Sequence, residues 1–462
     1  MRKGLIVLLL VTVPSLAHAQ PPPAPQPGAP SAGALGLPPP PPVSDAMLTP
    51  VPPPRRVLSS WPEAVTYLRA RSTDLKIALD QVLQAEAATR IALAQYLPSL
   101  TSTGVLSHQL ITSSGIYISS AGASSGTTTM YGNLQLQQTM VNVQQFDQIS
   151  IDELNEDATK LSVDDKKRTL ALSLANSIVA VVTAERSADV NRVGLRVALE
   201  QLEITKRKQS LGAANGLDVV RAQQNAANAR ATLVSGDESL REAREALGLA
   251  LGIPEETGVA PNLNVDGLAQ SAMESCRTVQ DIDQRPDIAA ARTNLDVAKR
   301  NLQNVYYQFA PTLNVQSTAT EISPTPAFGA PDPTWNIQAV FQMTWFDGGT
   351  RYGNLRNARA AQDIAAQTLE SLRRQAVIQI AQAERGLEVA SVSDKVAIEQ
   401  RDLAAQNDLM TQTAYMAGQG TSLELVTASE AHRQAELNLA VADFNVVKAR
   451  LLAALALATC PW

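Results

Sequence analysis

"QFAPTLNVQST" spans residues 308–318. Up to Phe309 the apolar residues recur at helical spacing. After Pro311 they alternate, with Leu313 and Val315 on one face and Asn314 and Gln316 on the other. Proline lacks a backbone N–H and biases the residue before it out of the α region, so the helix ends there and a strand begins. The same change occurs at "QYLPSLTSTGV", residues 95–105, around Pro98. The two prolines lie 213 residues apart, as do Asp74 and Asp287. A second set of matches, Gly212 with Gly418, Asp218 with Glu424 and Ala222 with Ala428, runs at an offset of 206. The offset changes within the strands and their loops, where insertions cost least. The chain is read as a tandem duplication of helix, strand, strand, long helix, turn and helix.

The halves take the following bounds. Residues 1–19 are a signal peptide: Arg2 and Lys3, an apolar run from Leu5 to Val13, and Ala17-His18-Ala19 as the cleavage site. No cysteine stands at the cut, which argues against a lipid anchor there. Residues 20–56 hold 15 of the 27 prolines and are expected to be a disordered leader. The first repeat covers 57–260, with strands about 99–146 and a long helix about 152–211. Its clearest strand is "NLQLQQTM", 133–140, and the helix that opens the repeat, expected over 62–95, carries Ala64, Leu68, Leu75, Leu79, Val82, Leu83 and Ala87 on one face. A linker, 261–284, leads to the second repeat, 285–462, with strands about 312–345 and a long helix about 353–417. Pro286 opens this half at a favoured first-turn position, and "FDGGTR", 346–351, turns its last strand into its long helix.

Composition limits function. Loss of Arg2 and Lys3 takes the formal charge from −6 to −8, so an exported chain this acidic is no candidate for nucleic acid. Outside the signal peptide the histidines are His108 and His432, without a neighbouring His or Cys at metal-ligand spacing. There is no nucleophile–base constellation. We therefore expect no enzyme, no metal and no cofactor. No apolar run after the signal peptide reaches the ~20 residues of a membrane helix. A β-barrel leaves no such signal.

The helical segments lean on Ala, Leu and Val, and only 4% of residues are aromatic, which favours a coiled-coil-like wall over a thick core. One helix of 60–65 residues and two of 25–35 per repeat pack into columns of equal length. Four strands per chain cannot close a barrel, which needs about 8, and open strand edges in lipid leave backbone groups unpaired. The strands must then be pooled between chains. In "TWNIQAVFQMTW", 334–345, Trp335, Ile337, Phe341, Met343 and Trp345 share a face suited to lipid. The alternative, a soluble sandwich with a Trp-rich inner face, leaves the repeated helix-to-strand passage unexplained.

Taken in order, "RPDIAAARTNLDVAKRN", "FAPTLNV" and "MTWFDGGTRYGNLRNARAAQDIA", with the twin turns "LGAANGLDVVRAQ" and "MAGQGTSLELVTASE", resemble the TolC family of outer-membrane efflux proteins over roughly residues 60–458. The resemblance implies a mainly α protomer with a β-barrel part. Three copies would form a 12-strand barrel in the lipid of the Gram-negative outer membrane, on a 12-helix periplasmic α-barrel. It implies a passive exit channel for efflux or type I secretion, docked to a periplasmic membrane-fusion adaptor and an inner-membrane RND, ABC or MFS pump. The rivals are an adaptor-like periplasmic helical protein and an exported helical enzyme.

The resemblance also points to sites. Glu424 matches a pore-constriction acid, and Asp218, its first-repeat counterpart, is expected either at the constriction with it or bracing the neighbouring helix turn. A second acid three residues on is here Thr427, and an arginine of some members is here Gly420. The constriction is therefore expected to be less acidic and to lack that arginine's salt bridge. Both acids also follow turns at helix starts, where acids are favoured by the helix dipole alone. Leu211, Gly212, Gly418 and Gly420 are expected at adaptor-contacting tips. Pro98, Pro311, Gly348 and Gly349 are expected as structural strand–helix junctions. The first repeat has "VQQFDQ", 143–148, without a glycine pair, so its passage should differ. Cys276 and Cys460 are expected at mid-height, joined by a disulfide, as an exported chain permits.

Overall fold

A computed structural model describes residues 42–108, 128–261, 263, 267–323 and 333–462. The signal peptide and the leader as far as residue 41 lie outside the described residues. Two long helices organise the rest: α3, Val143–Ser210, and α7, Thr350–Met416. Each carries two shorter helices end to end. α2 (Thr73–Ala94) and α4 (Gly216–Ala250) pack on α3, and α6 (Pro286–Tyr307) and α8 (Ser422–Ala456) pack on α7. α3 also packs on α6 and α8. The columns therefore run α2/α4, α3, α6/α8, α7.

Burial follows this order. α3 buries 18 residues and α7 only four, Leu369, Ala376, Ala397 and Tyr415. Ile364, Val377, Ile378, Val389, Val392 and Val396 of α7 are more than half exposed. On the opposite edge Leu79 and Leu83, which share the apolar face of α2, are 46% and 60% exposed. Their helical spacing signals burial, and the described residues of one chain cover them only in part.

The helix ends follow local chemistry. The helix expected over 62–95 is two: α1 (Trp61–Arg71) and α2, separated by Ser72, whose hydroxyl accepts from the Leu75 N–H. α3 begins at Val143 rather than near residue 152, because the Asn142 side chain accepts from the Gln145 N–H and caps it there.

The strands β2 (Ser99–His108), β3 (Thr128–Val141), β6 (Thr312–Ser323) and β7 (Thr334–Gln342) form one antiparallel sheet in the order β2-β3-β6-β7. β3 pairs β6, with Leu134 opposite Ala319, and so joins the two repeats. β2 and β7 are its edges. β7 stops at Gln342, short of the expected residue 345, and Trp345 and Phe346 stand 83% and 87% exposed beyond it.

A belt encloses the middle of α3. Around Leu174, Ile178 and Val181 pack Leu58, Trp61, Leu247, Leu251, Leu451 and Leu455. β1 (Arg56–Leu58) pairs in parallel with β4 (Thr257–Val259). The expected linker contributes α5 (Leu268–Ser275) and β5 (Arg277–Thr278), and β5 pairs with β8 (Ala458–Thr459). The Trp61 indole N–H donates to Ser275 Oγ at 3.1 Å.

The expected disordered leader, 20–56, is corrected over its last part. Residues 43–58 lie along α3 and α4. Val43 and Leu48 pack against Leu195, Leu199 and Leu233. Arg230 pairs with Asp45 at 2.9 Å, and the Arg244 guanidinium donates to the Pro52 carbonyl at 3.1 Å. Proline does not prevent this, because an extended strap needs few backbone donors of its own.

Candidate functional site: the helical turns and the strand–helix junctions

The far ends of α3 and α7 turn back by the same device. After α3, Gly212 adopts φ +74°, and the Ala213 N–H donates to the Lys208 carbonyl at 2.8 Å. After α7, Gly418 adopts φ +78°, and the Gln419 N–H donates to the Ala414 carbonyl at 2.9 Å. Left-handed glycines of this kind close helix C-termini. A capping box follows each turn. Asn215 and Asp218 open α4, and Thr421 and Glu424 open α8, each acid accepting from the N–H of its cap residue.

Glu424 is exposed. The Thr421 N–H, at 2.8 Å, and secondarily the Thr421 hydroxyl hold its carboxyl below the usual carboxylate range. The group is therefore anionic at any neutral or mildly acidic pH. Asp218 is differently placed. Its carboxylate accepts from the Ser422 hydroxyl at 2.8 Å, across the gap between the two turns, and lies 3.9 Å from Arg221. Asp218 thus ties the second turn to the first. The Thr427 hydroxyl donates to the Leu423 and Glu424 carbonyls and so faces its own helix. A Cβ at Gly420 would stand 3.1 Å from the Tyr415 nitrogen, so this turn accommodates glycine best. Leu211 caps α3 and is 82% exposed, presenting an apolar side chain at the tip.

A second tie joins the tips. The Lys208 amine on α3 donates to the Tyr415 carbonyl on α7 at 2.6 Å and sits 3.7 Å from the centre of the Tyr415 ring. Burial pushes its pKa down. The Tyr415 hydroxyl is 3.4 Å from Thr205 Oγ1. The sequence reading missed Lys208, Tyr415 and Ser422. They lie on different repeats and share no period, and only a buried tyrosine near a turn could have drawn attention to them.

At the other end, Pro98 and Pro311 each stand just before a strand, β2 and β6. Gly348 and Gly349 both adopt positive φ, +67° and +93°. Asp347 fixes this turn, accepting from the Gly349 N–H at 3.0 Å and from the Arg351 N–H and Nε at 3.1 and 2.7 Å. α7 accordingly starts at Thr350, not residue 353. The first repeat uses other means: the Asn142 cap, a Tyr96–Phe146 ring pair at 4.3 Å, and the Gln138 amide on the Tyr96 carbonyl at 2.7 Å. Cys276 and Cys460 form a disulfide in the belt, 184 residues apart in sequence.

Residues 65–253 match the family model "Outer membrane efflux protein". The chain is 24% identical over 344 residues to the probable efflux pump outer membrane protein TtgC of Pseudomonas putida, covering 72% of this chain and 69% of that one. To the pyoverdine export outer membrane protein OpmQ of Pseudomonas aeruginosa it is 23% identical over 327 residues, covering 68% and 67%. Among solved structures it shares its fold with the outer membrane protein VceC of Vibrio cholerae, at a TM-score of 0.69 and 17% identity over 86% of this chain and 95% of that one. With CusC the TM-score is 0.72 at 20% identity, over 85% and 91%.

Proposed function

We propose that this chain is an outer membrane efflux protein of TolC type and acts as the passive exit duct of a tripartite efflux or secretion assembly, with its strands in the outer membrane and its long helices in the periplasm. One observation carries the reading: a four-stranded sheet, with two edges unpaired among the described residues and an outward apolar face, leads into two long helices. Strands of 9 to 14 residues suit a tilted crossing of the hydrocarbon layer. Trp335, Ile337 and Phe341 on β7 are 66–75% exposed, which favours lipid over water beside them.

Closing such a sheet requires other copies. Three chains supply 12 strands, and the uncovered apolar rows on α7 and α2 lie on the outer columns, where neighbouring protomers would meet. In a trimer the exposed Glu424 carboxylates would form a ring at the narrow end, the arrangement by which pores favour cations. Asp218, held by Ser422, braces that ring rather than lining it. The turns around Leu211, Gly212, Gly418 and Gly420 are the surface offered to a periplasmic adaptor, and an inner-membrane pump supplies the energy. Efflux pump names among the relatives support participation in such an assembly.

The test is the detergent-corrected mass of protein extracted from outer membranes, with conductance in planar bilayers. Three protomers and a cation-preferring channel support the reading. A monomer without conductance overturns it.

A further inference from the structure

The α7–α8 hairpin has a weakly packed far half. Between Ala397 and Tyr415 no α7 side chain is buried, and α8 offers it small residues such as Ala428 and Ala435. In this stretch four polar side chains join the two helices. His432 on α8 places Nδ1 3.0 Å from the Asp408 carboxylate on α7. His432 Nε2 lies 3.8 Å from Glu436, one turn on along α8. Arg401 on α7 reaches Glu436 at 3.6 Å and also holds Asp402 at 2.8 Å. Asp408 stands eight residues before the end of α7, about 12 Å from the turn.

The charges bearing on His432 among the described residues are Asp408, Glu436 and Arg401. α3, packed on another face of α8, meets the neighbouring Arg433 instead, which is bound to Asn191 and to Glu430. Around the imidazole there are thus two carboxylates and one arginine, and that arginine also holds Asp402. Neutral His432 can donate to Asp408 from Nδ1, but its Nε2 then turns a lone pair toward Glu436. Protonated His432 keeps its hydrogen bond to Asp408 and places a second cation 3.8 Å from Glu436.

We propose that Asp408, His432, Glu436 and Arg401 form a pH-sensitive clasp, which tightens the far half of the α7–α8 hairpin when His432 is protonated and slackens it when His432 is neutral. The hydrogen bond to Asp408 raises the His432 pKa above its ordinary value near 6.5, against an opposing effect of burial. The clasp's contribution is thus complete below about pH 6.5. It is lost as pH rises through the elevated value in the folded chain. In the channel reading this hairpin ends at the narrow mouth, so acid would favour the closed form. The clasp itself does not depend on that reading.

Hydrogen–deuterium exchange of the full chain in detergent, on peptides covering 400–436, tests it directly. After correction for the intrinsic pH dependence of exchange, protection should be roughly 2- to 5-fold greater at about pH 5.5 than at about pH 8, the size of a partly exposed charged pair. His432→Gln should remove the difference while belt peptides keep their protection. Asp408→Asn should do the same, and it answers the question if His432→Gln disturbs the fold. Equal wild-type protection at the two pH values, or a pH dependence that survives in a folded variant of either residue, overturns the proposal.

Discussion

Replacing Lys208 by methionine should loosen the tips more than a change at any exposed residue there. The Lys208 amine makes one charged hydrogen bond to the Tyr415 carbonyl, at 2.6 Å, and one cation–π contact, 3.7 Å from the ring centre. A hydrogen bond to a charged group contributes about 1.5–3 kcal/mol, and a cation–π contact at a partly exposed site about 0.5–1 kcal/mol. Burial opposes the charge, as the lowered Lys208 pKa records. The net link between α3 and α7 is therefore about 2 kcal/mol, or about 30-fold in the ratio of joined to separated tips. Methionine keeps the length of the stem and removes the charged donor, leaving the Tyr415 carbonyl to backbone donors such as the Gly418 N–H at 3.2 Å. Tyr415→Phe is the control. It deletes only a long 3.4 Å contact to Thr205 and keeps both carbonyl and ring. Hydrogen exchange in peptides covering 205–225 and 410–430, with open probability in bilayers, reads both variants. Lys208→Met should speed exchange and raise open probability, whereas Tyr415→Phe should shift either by less than about threefold. A Lys208→Met protein within twofold of wild type refutes the reasoning. An equal effect of Tyr415→Phe would place the link at the hydroxyl.

Other outcomes follow from the same geometry. Glu424→Gln should reduce cation preference in reversal-potential measurements. In the wild type that preference should persist as pH falls to about 4.5, because the Thr421 N–H holds the carboxyl below its ordinary range, and fade only in stronger acid. Replacing Cys276 and Cys460 by serine reopens a 184-residue loop, which chain entropy values at up to about 5 kcal/mol. A lower melting temperature for the double variant, matched by reductant on the wild type, is expected, and unchanged melting would show the belt to be self-sufficient. Gly418→Ala meets no steric neighbour but must keep φ at +78°, so its cost should be about 1 kcal/mol, seen as faster exchange at the second turn only. Asp45→Ala removes the partner of Arg230 and should increase protease cleavage within 43–56 without changing the melting of the belt.

The features that recur in the sequence were the ones that could be read from it. Helix-to-strand passages at Pro98 and Pro311, and the twin turns at Gly212 and Gly418, are local events: each is set by residues within one or two helical turns of itself. Duplication then printed each of them twice. Contacts that join the repeats have no such record. Lys208 reaches Tyr415 and Asp218 reaches Ser422 only because two hairpins built separately come to lie side by side. The strap shows the same limit from the other direction. Its composition is that of a free leader, and its order comes from Leu195, Leu199 and Leu233, more than 130 positions away. Glu424 is the sharpest case. Helix capping accounts for an acid at this position, and capping is what its geometry displays. Capping does not, however, account for the different fates of the two acids. Asp218 has a donor from the opposite turn, while the carboxylate of Glu424 is satisfied only within its own cap and remains exposed. If both acids served only their helices, exchanging the pair, as Asp218→Glu with Glu424→Asp, would keep both capping boxes and change little. A ring formed at residue 424 would instead respond to the shorter side chain. The double exchange should therefore lower cation preference while tip protection holds; loss of protection with unchanged selectivity would return both residues to a purely structural role.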